Sequence, residues 1–321
     1  MNPALGVSLK VASALLFTGM SALIKSIGTE LPTGEIVFGR SFFAILPILI
    51  YICWRVSHET RADGSRSPLL RGIADALKTT NKLGHFQRGF IGCCAMGLSF
   101  YALSLLPLPD AITLGYAAPL VTVLLAPLLL GERVGIYRSS AVVVGFVGVL
   151  IVLSPHLLSE IDRGDDASLG AMVALAAACC TALAMIQIRA LTKHESTMSI
   201  TFYFSVSGTV FGLASLPFGW VLPDAMMVAK LVTIGFIGGV AQIFLTESYR
   251  HAPTSLIAPF DYTTLIWAMV LGYMLFDDVP QPIMLVGASI IVLSGLFVIY
   301  RERQLGLERA RQRKAGGVPL A

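Results

Sequence analysis

The charged residues of this chain occur in short clusters separated by apolar runs of about 18–22 residues. An α-helix rises 1.5 Å per residue, so a run of this length crosses the roughly 30 Å hydrocarbon core of a bilayer. Only 13% of the 321 residues are charged and 55% are hydrophobic, which leaves too few polar groups to cover a soluble domain of this size. The pattern therefore predicts an integral membrane protein built of transmembrane helices.

Ten such runs divide the sequence, and they predict an all-α fold with ten transmembrane helices. We place them at residues 4–27, 33–54, 88–106, 110–130, 137–154, 169–188, 198–220, 229–249, 254–276 and 281–300. Proline-containing breaks at 31–34, 107–110 and 278–280 separate neighbouring runs, because proline ends one helix and is accepted in the first turn of the next. The first run is too long for a signal peptide and lacks a basic leader, so we expect a retained helix.

Basic residues are distributed unevenly between the two sides of these spans. If the N-terminus is cytoplasmic, the outer connections carry only Lys25, Arg163 and Lys230, and the inner ones carry many more, including the loop 55–87. This asymmetry predicts cytoplasmic termini, which agrees with an even number of spans. We expect a short helix near 69–83 in the loop. The basic tail 301–321 is expected to be either a helix on the lipid surface or a solvated segment.

The sequence also contains a weak internal repeat. Shifting the chain by 145 residues places 111–133 over 256–278, so that Glu132 meets Asp277 at the end of an apolar run. We assign the first repeat to 5–154 and the second to 169–300. Each repeat holds five spans, an odd number, so the second must be inverted relative to the first. Inverted repeats are typical of secondary transporters, whose substrate site lies between the halves.

Three motifs carry a family resemblance. They are Glu-Ile-Val-Phe-Gly-Arg-Ser-Phe-Phe at 35–43, Ala-Ala-Pro at 117–119 leading to Leu-Gly-Glu at 130–132, and Ala-Pro-Phe-Asp-Tyr at 258–262. In order and spacing they resemble the drug/metabolite transporter superfamily, in its branch with two EamA-type repeats. The resemblance implies a carrier of the bacterial inner membrane with ten helices, cytoplasmic ends and a central cavity. The chain also looks like the riboflavin importers of this branch, although no single residue is diagnostic.

Charged residues inside spans are the first candidates for a site, because burying them in a bilayer costs free energy. Asp261 lies near Pro259, and we expect it either to bind substrate or the coupling proton, or to pair with a basic group. Arg40 must line a cavity or find a carboxylate such as Glu35, and anion recognition and a structural pair both remain open for it. Lys10 is expected to extend to the inner surface. Glu247 is expected to pair with Arg250 at the membrane interface.

Other candidates are uncharged. Tyr116, Tyr262 and Trp267 lie within spans and either stack on a planar ligand or serve as packing residues. Gln187 and Gln242 are further polar side chains inside the membrane. Pro119 and Pro127 predict a kink in the fourth span. Small-residue pairs such as Gly208/Gly212 and Gly235/Gly239 predict close helix packing.

These features favour a secondary transporter of a small organic metabolite, with a vitamin such as riboflavin as one candidate. Alternatives are an exporter of amino acids or drug-like metabolites, uptake of a nucleoside-type compound such as S-adenosylmethionine, and a channel or scaffold. No metal-ligand cluster and no phosphate-binding loop occur in the sequence, so we expect no metal, no cofactor and no enzymatic activity. The expected partners are the substrate and membrane lipids, not nucleic acid, and a homodimer is left open.

Overall fold

The computed structural model describes residues 3–58, 69–130, 136–158, 165–191, 194–251 and 257–315. Within these ranges every regular element is helical, which confirms the predicted all-α class. The α-helices are α1 Pro3–Lys25, α2 Thr33–His58, α3 Leu69–Ala76, α4 Lys82–Leu105, α5 Leu108–Gly115, α6 Ala117–Leu130, α7 Ile136–Leu158, α8 Asp165–Leu191, α9 Thr197–Ala214, α10 Ala225–His251, α11 Thr263–Phe276 and α12 Pro282–Ala315. Two 3-10 turns, Leu216–Phe218 and Ala258–Tyr262, follow α9 and precede α11.

Five of these helices are individually long and apolar enough to cross a membrane, and they lie in α1, α2, α4, α8 and α10. Shorter apolar helices lie in α7, α9, α11 and α12. The fourth predicted span is broken into α5 and α6, and the ninth into the Ala258–Tyr262 turn and α11. Helices therefore occupy all ten predicted positions, and the fourth and ninth, which occupy equivalent places in the two repeats, are both interrupted.

Several helix ends differ from those predicted. The loop assigned to 55–87 is shorter, because α2 continues to His58 and α4 already begins at Lys82. The start of α4 is fixed by Asn81, whose side-chain oxygen accepts a 2.8 Å hydrogen bond from the Gly84 amide. The expected short helix is α3, and residues 59–68 lie outside the described ranges. In the tail, α12 continues as a helix to Ala315.

The helices of the two repeats interleave. The helix α4 of the first repeat packs on α8 of the second, and the repeat-related pair, α10 on α1, makes the equivalent contact. In the same way α2 contacts α10 while α9 contacts α4, and α6 contacts α8 while α11 contacts α1. The helices α2 and α9, which are the second spans of the two repeats, pack on each other. The fifth spans, α7 and α12, do the same. This exchange symmetry confirms two inverted repeats, and the main partner of most spans lies in the other half.

Glycines allow the closest of these approaches. A Cβ added at Gly212 of α9 would lie 2.5 Å from the Phe38 backbone nitrogen of α2. A Cβ added at Gly239 of α10 would lie 2.5 Å from Pro47 Cγ, also on α2. Both separations are shorter than any real carbon contact, so these helices can meet only where a side chain is absent. The helix α2 is thereby held between α9 and α10 of the opposite repeat.

Candidate functional site

A cavity of about 400 Å³ lies between the repeats. Its walls come from α1, α2, α4 and α5 of the first repeat and from α8 and α9 of the second. Most of the lining is apolar, made of alanine, methionine, leucine and phenylalanine side chains, with three hydroxyl groups from Ser21, Ser99 and Thr181. The size and the mostly apolar lining are those of a site for a small organic molecule.

Two arginines are the charged residues in this lining. Arg40 comes from α2 and Arg88 from α4, and their guanidinium carbons lie 5.6 and 4.2 Å from the ring centroid of Phe204 on α9. A guanidinium over an aromatic face is attracted to the negative face of the ring. Arg40 is only 5% exposed. Among the described residues, Arg40 Nε and both Nε and Nη1 of Arg88 have no hydrogen-bond partner.

The local sequence makes room for both guanidinium groups. A Cβ added at Gly92, one turn after Arg88, would overlap Arg88 Nη1. A Cβ added at Gly238 would lie 3.4 Å from Arg40 Nε and 2.8 Å from Met20 Sδ. Glycine at these two positions therefore leaves the space in which the guanidinium groups lie beside Phe204.

For Arg40 the structure resolves two alternatives that the sequence left open. The carboxylate of Glu35 does not form an ion pair with Arg40 in the described structure. It accepts a 3.3 Å hydrogen bond from the Val221 amide instead. Arg40 instead lines the cavity. The sequence does not single out Arg88, because it is the first residue of the predicted span 88–106 and is therefore expected at the membrane boundary. Asn81 is the residue that indicates the earlier start of α4, because a helix capped there places Arg88 nearly two turns inside the helix.

A second cluster surrounds the break in the ninth span. Lys10 Nζ lies 2.6 Å from Asp261 Oδ1, so helix α1 of one repeat is joined to the interrupted span of the other. The Lys10 side chain is 2% exposed, whereas that of Asp261 is 51% exposed. The expectation that Lys10 extends to the membrane surface is therefore wrong, because Asp261 neutralises its ammonium group inside the bundle. Asp261 thus pairs with the basic group of Lys10, and about half of its side-chain surface remains accessible.

The two interrupted spans meet at this cluster. Tyr116 directly follows the last residue of α5, and Tyr262 is the last residue of the turn before α11. Their ring centroids lie 5.1 Å apart. The Tyr116 hydroxyl contacts Thr264 Oγ1 and donates a 3.3 Å hydrogen bond to the Asp261 carbonyl. A Cβ at Gly295 of α12 would overlap the Tyr262 hydroxyl. The break in the fourth span thus hydrogen-bonds directly to the break in the ninth.

The remaining predicted site residues lie elsewhere. The lining of the 400 Å³ cavity includes Arg40 but none of Asp261, Tyr262, Tyr116, Gln187, Gln242 and Trp267. Gln187 and Gln242 are partly buried on α8 and α10. Trp267 Nε1 is buried without a hydrogen-bond partner in the part of the chain that the structure describes. Of the predicted set, Arg40 lines the cavity, and Asp261, Tyr116 and Tyr262 belong to the Lys10–Asp261 cluster. Gln187, Gln242 and Trp267 belong to neither group of contacts.

Polar contacts join the two repeats at the end of the bundle at which α1 begins, here called the N-terminal end. Glu247 of α10 contacts the Tyr51 hydroxyl and lies 3.6 Å from Arg55 Nη1 and 3.8 Å from His251 Nε2. The side chain of Arg250, the expected partner of Glu247, lies outside the described set. A smaller cavity of about 250 Å³ lies beside this contact and is lined by both Glu195 and Glu247.

Glu195, in the connection between α8 and α9, makes a second contact at this end. It accepts hydrogen bonds of 2.8 and 2.9 Å from the amides of Thr80 and Asn81, and its second oxygen lies 3.5 Å from His85 Nε2. Burial opposes ionisation of the carboxyl, but the hydrogen bonds from Thr80 and Asn81 together outweigh it and lower the pKa of Glu195 to about 2. Glu195 is therefore ionised at neutral pH.

Polar contacts also join the two repeats at the opposite end of the bundle; the ion pairs at the two ends are here called the ties. Lys25 Nζ donates a 2.8 Å hydrogen bond to the Leu106 carbonyl and lies 3.5 Å from Asp278 Oδ2. The same carboxylate accepts a 3.0 Å hydrogen bond from the Leu108 amide. Within the described residues no group of three or more His, Cys, Asp or Glu side chains could hold a metal ion. The geometry supports binding of an organic molecule in the cavity between the repeats.

Comparison with known proteins gives the family. The family model for EamA-like transporters matches residues 4–154 and 168–301. The chain belongs to the EamA-like transporter family. This membership confirms the resemblance drawn from the motifs at 35–43, 117–132 and 258–262.

Several proteins similar to this chain are named as transporters. The pseudopaline exporter CntI of Pseudomonas aeruginosa is 30% identical over 292 residues, which cover 90% of this chain and 94% of that protein. The S-adenosylmethionine uptake transporter of Rickettsia prowazekii is 28% identical over 87% of each chain. The riboflavin transporter of Vibrio cholerae is 29% identical over 71% of this chain and 74% of its own. Their names give different cargoes and both directions of transport.

A solved structure shares the fold of this chain. One crystal structure superimposes with a TM-score of 0.62 and covers 95% of this chain and 99% of its own at 17% sequence identity. Such low identity shows a common fold only. Together, the family match and the relatives identify a multi-pass membrane transporter.

Proposed function

We propose that this chain is a secondary transporter that moves a small organic metabolite across the bacterial inner membrane by alternating access, with both termini in the cytoplasm. The observation that carries the proposal is the 400 Å³ cavity whose walls come from both inverted repeats. A site between two halves of opposite orientation is exposed first to one side and then to the other when the halves rock. The cavity is the binding site in this scheme.

The ties at the two ends suit such a movement because each one joins the first repeat to the second. At the N-terminal end Arg55 meets Glu247, and at the opposite end Lys25 meets Asp278. Opening one end requires its tie to break while the other tie holds. Ion pairs at interfaces are suited to this role, since their net free energy is small enough to be reversed by substrate binding.

Coupling to a proton is assigned to Asp261 in this proposal. Its carboxylate is paired with Lys10 and half of its surface is accessible, so a proton can reach it without unfolding the helix. Protonation would remove the charge that neutralises Lys10 and would loosen the contact between α1 and the interrupted span. The gradient of the substrate itself is the alternative source of bias, and the pH dependence of transport separates the two.

The test is transport by the purified chain in proteoliposomes. The first compounds are riboflavin, S-adenosylmethionine and amino acids, which represent the importers and exporters considered above. Saturable flux with counterflow supports a carrier. Flux that rises linearly with concentration would instead indicate a channel. Arg71→Gln, on the exposed surface of α3, is a control that removes a positive charge outside the bundle.

A further inference from the structure

The two arginines of the cavity have unused hydrogen-bond donors. Arg40 is almost completely buried, and its Nε has no partner among the described residues. Arg88, which also lines this cavity, leaves its buried Nε and Nη1 without a partner among the described residues. Buried donors are nearly always satisfied in folded proteins, so three unsatisfied nitrogen atoms around one cavity indicate a partner outside the chain.

The charges support the same conclusion. Arg40 and Arg88 lie beside one phenylalanine ring, and no carboxylate among the described residues pairs with either of them. Two unpaired positive charges in an apolar cavity repel each other and lose the solvation of water. An anion placed between them removes both penalties and accepts the free hydrogen bonds. A cation would increase the repulsion.

The rest of the cavity limits the kind of anion. Phe17, Met20 and Phe100 contribute apolar surface, and the hydroxyl groups are few. A small inorganic ion would leave most of the 400 Å³ unfilled and would gain nothing from these walls. A guanidinium group matches the planar, two-oxygen edge of a carboxylate and also binds phosphate.

We infer that the substrate is a small organic anion, whose carboxylate or phosphate group is held between Arg40 and Arg88 while its apolar body lies against the phenylalanine and methionine walls. The inference rests on the proposed transport function and gives its substrate class. Riboflavin, which carries no anionic group at neutral pH, does not fit this class. S-adenosylmethionine carries a carboxylate and fits only if its positive sulfonium centre lies away from the arginines.

Equilibrium binding to the purified full chain in detergent tests the inference without requiring transport. The probes are three acids with their neutral amides: hexanoate, 3-phenylpropionate and indole-3-propionate. Phenyl phosphate and inorganic phosphate complete the set. We expect at least one acid or phenyl phosphate to bind about tenfold more tightly than its neutral or inorganic counterpart. Preference for phenyl phosphate over 3-phenylpropionate assigns the group as phosphate, and the reverse assigns it as carboxylate.

Variants locate the interaction. Arg40→Gln and Arg88→Gln should each weaken binding of the preferred anion about tenfold or more and leave binding of the amides unchanged. Arg40→Lys and Arg88→Lys keep the charge but lose the planar fork, and we expect smaller losses. Arg71→Gln on α3 should have no effect. A merely structural role of the arginines would weaken acids and amides alike.

The inference is overturned if no organic anion in the set binds better than its counterpart to the wild-type chain, a comparison that needs no variant to fold. It is also overturned if both glutamine variants retain wild-type affinity for the anion. Failure of the transport proposal looks different: anions bind and depend on both arginines, but no substrate crosses proteoliposomes. Conversely, saturable transport of a neutral compound that is unaffected by either glutamine variant retains the transporter and rejects the anion site.

Discussion

Lys10 and Asp261 join the first helix of one repeat to the broken ninth span of the other through a 2.6 Å ion pair. The lysine is fully enclosed, whereas half of the carboxylate is accessible. Removing one partner of a buried pair leaves the other charge uncompensated, so the two residues depend on each other. Beside the pair, Tyr116 bonds to the Asp261 carbonyl and so connects the other broken span. Asp261 therefore connects three segments, binding α1 through its carboxylate and the broken fourth span through its backbone carbonyl.

Asp261→Asn should abolish the dependence of transport on a pH gradient. The amide cannot exchange a proton and cannot neutralise Lys10, so we also expect the rate to fall about tenfold or more. Lys10→Gln combined with Asp261→Asn should recover part of the stability, because no unpaired charge is left. Uptake in proteoliposomes with and without an imposed pH gradient measures the first effect, and thermal unfolding measures the second. Full and still pH-driven transport by Asp261→Asn would reject this residue as the coupling site.

Glu195 should stabilise the N-terminal end in a pH-dependent way. Its pKa is lowered from 4.5 to about 2 by the hydrogen bonds from Thr80 and Asn81, so its contribution is complete above pH 4.5. The contribution is lost as the pH falls from 4.5 towards 2, because the unfolded chain takes up the proton first. The melting temperature of the wild type should exceed that of Glu195→Gln at pH 6, by a few degrees.

The difference between these two proteins should shrink progressively below pH 4.5. Thermal unfolding of both proteins across this range measures it. Lys78→Gln, an exposed change close to the same connection, provides the control and should keep a constant difference from the wild type. A gap between wild type and Glu195→Gln that widened on acidification would contradict the assigned network.

The ties at the two ends should control access to the cavity in opposite directions. Glu247→Gln removes the ion pair with Arg55 and replaces the charged acceptor of the Tyr51 hydroxyl by a neutral one, and we expect it to favour opening at the N-terminal end. Asp278→Asn weakens the contact with Lys25 and should favour the opposite opening. The readout is labelling of Ser99→Cys, in the cavity wall, by a membrane-impermeant maleimide in a background without the native cysteines. Equal labelling of both variants from the same side would contradict alternating control.

The order and number of the spans were predictable from the sequence because a bilayer imposes a length and an apolar composition on each helix. The breaks in the fourth and ninth spans were only partly predictable. Pro119 and Pro259 marked the regions, but the fourth span breaks at Tyr116, so that Pro119 lies in the first turn of α6, where proline is tolerated. The position of Pro119 in the sequence therefore predicts the break in the fourth span to within about one helical turn.

The composition of the site was much less predictable. Arg88 was hidden because hydropathy gives the apolar part of a span, whereas the start of α4 is set by the cap at Asn81. The pairing of Lys10 with Asp261 joins positions 251 residues apart. Such a pair depends on how the inverted repeats interleave, which no local pattern records. Even so, the rule that an intramembrane charge needs a partner or a cavity identified both Asp261 and Arg40 as candidates.

The contact between α2 and α10 should tolerate no side chain at Gly239. In Gly239→Ala the Cβ would lie 2.5 Å from Pro47 Cγ and 2.9 Å from the Ala44 carbonyl oxygen. Since the second of these atoms belongs to the backbone of α2, the helices must separate, and we expect a loss of about 1–3 kcal/mol. Gly97→Ala is the matched control, because a Cβ there meets no atom within 4 Å and alanine favours a helix over glycine. Thermal unfolding should show Gly239→Ala well below the wild type and Gly97→Ala at or slightly above it; equal melting temperatures for the two variants would exclude this close packing.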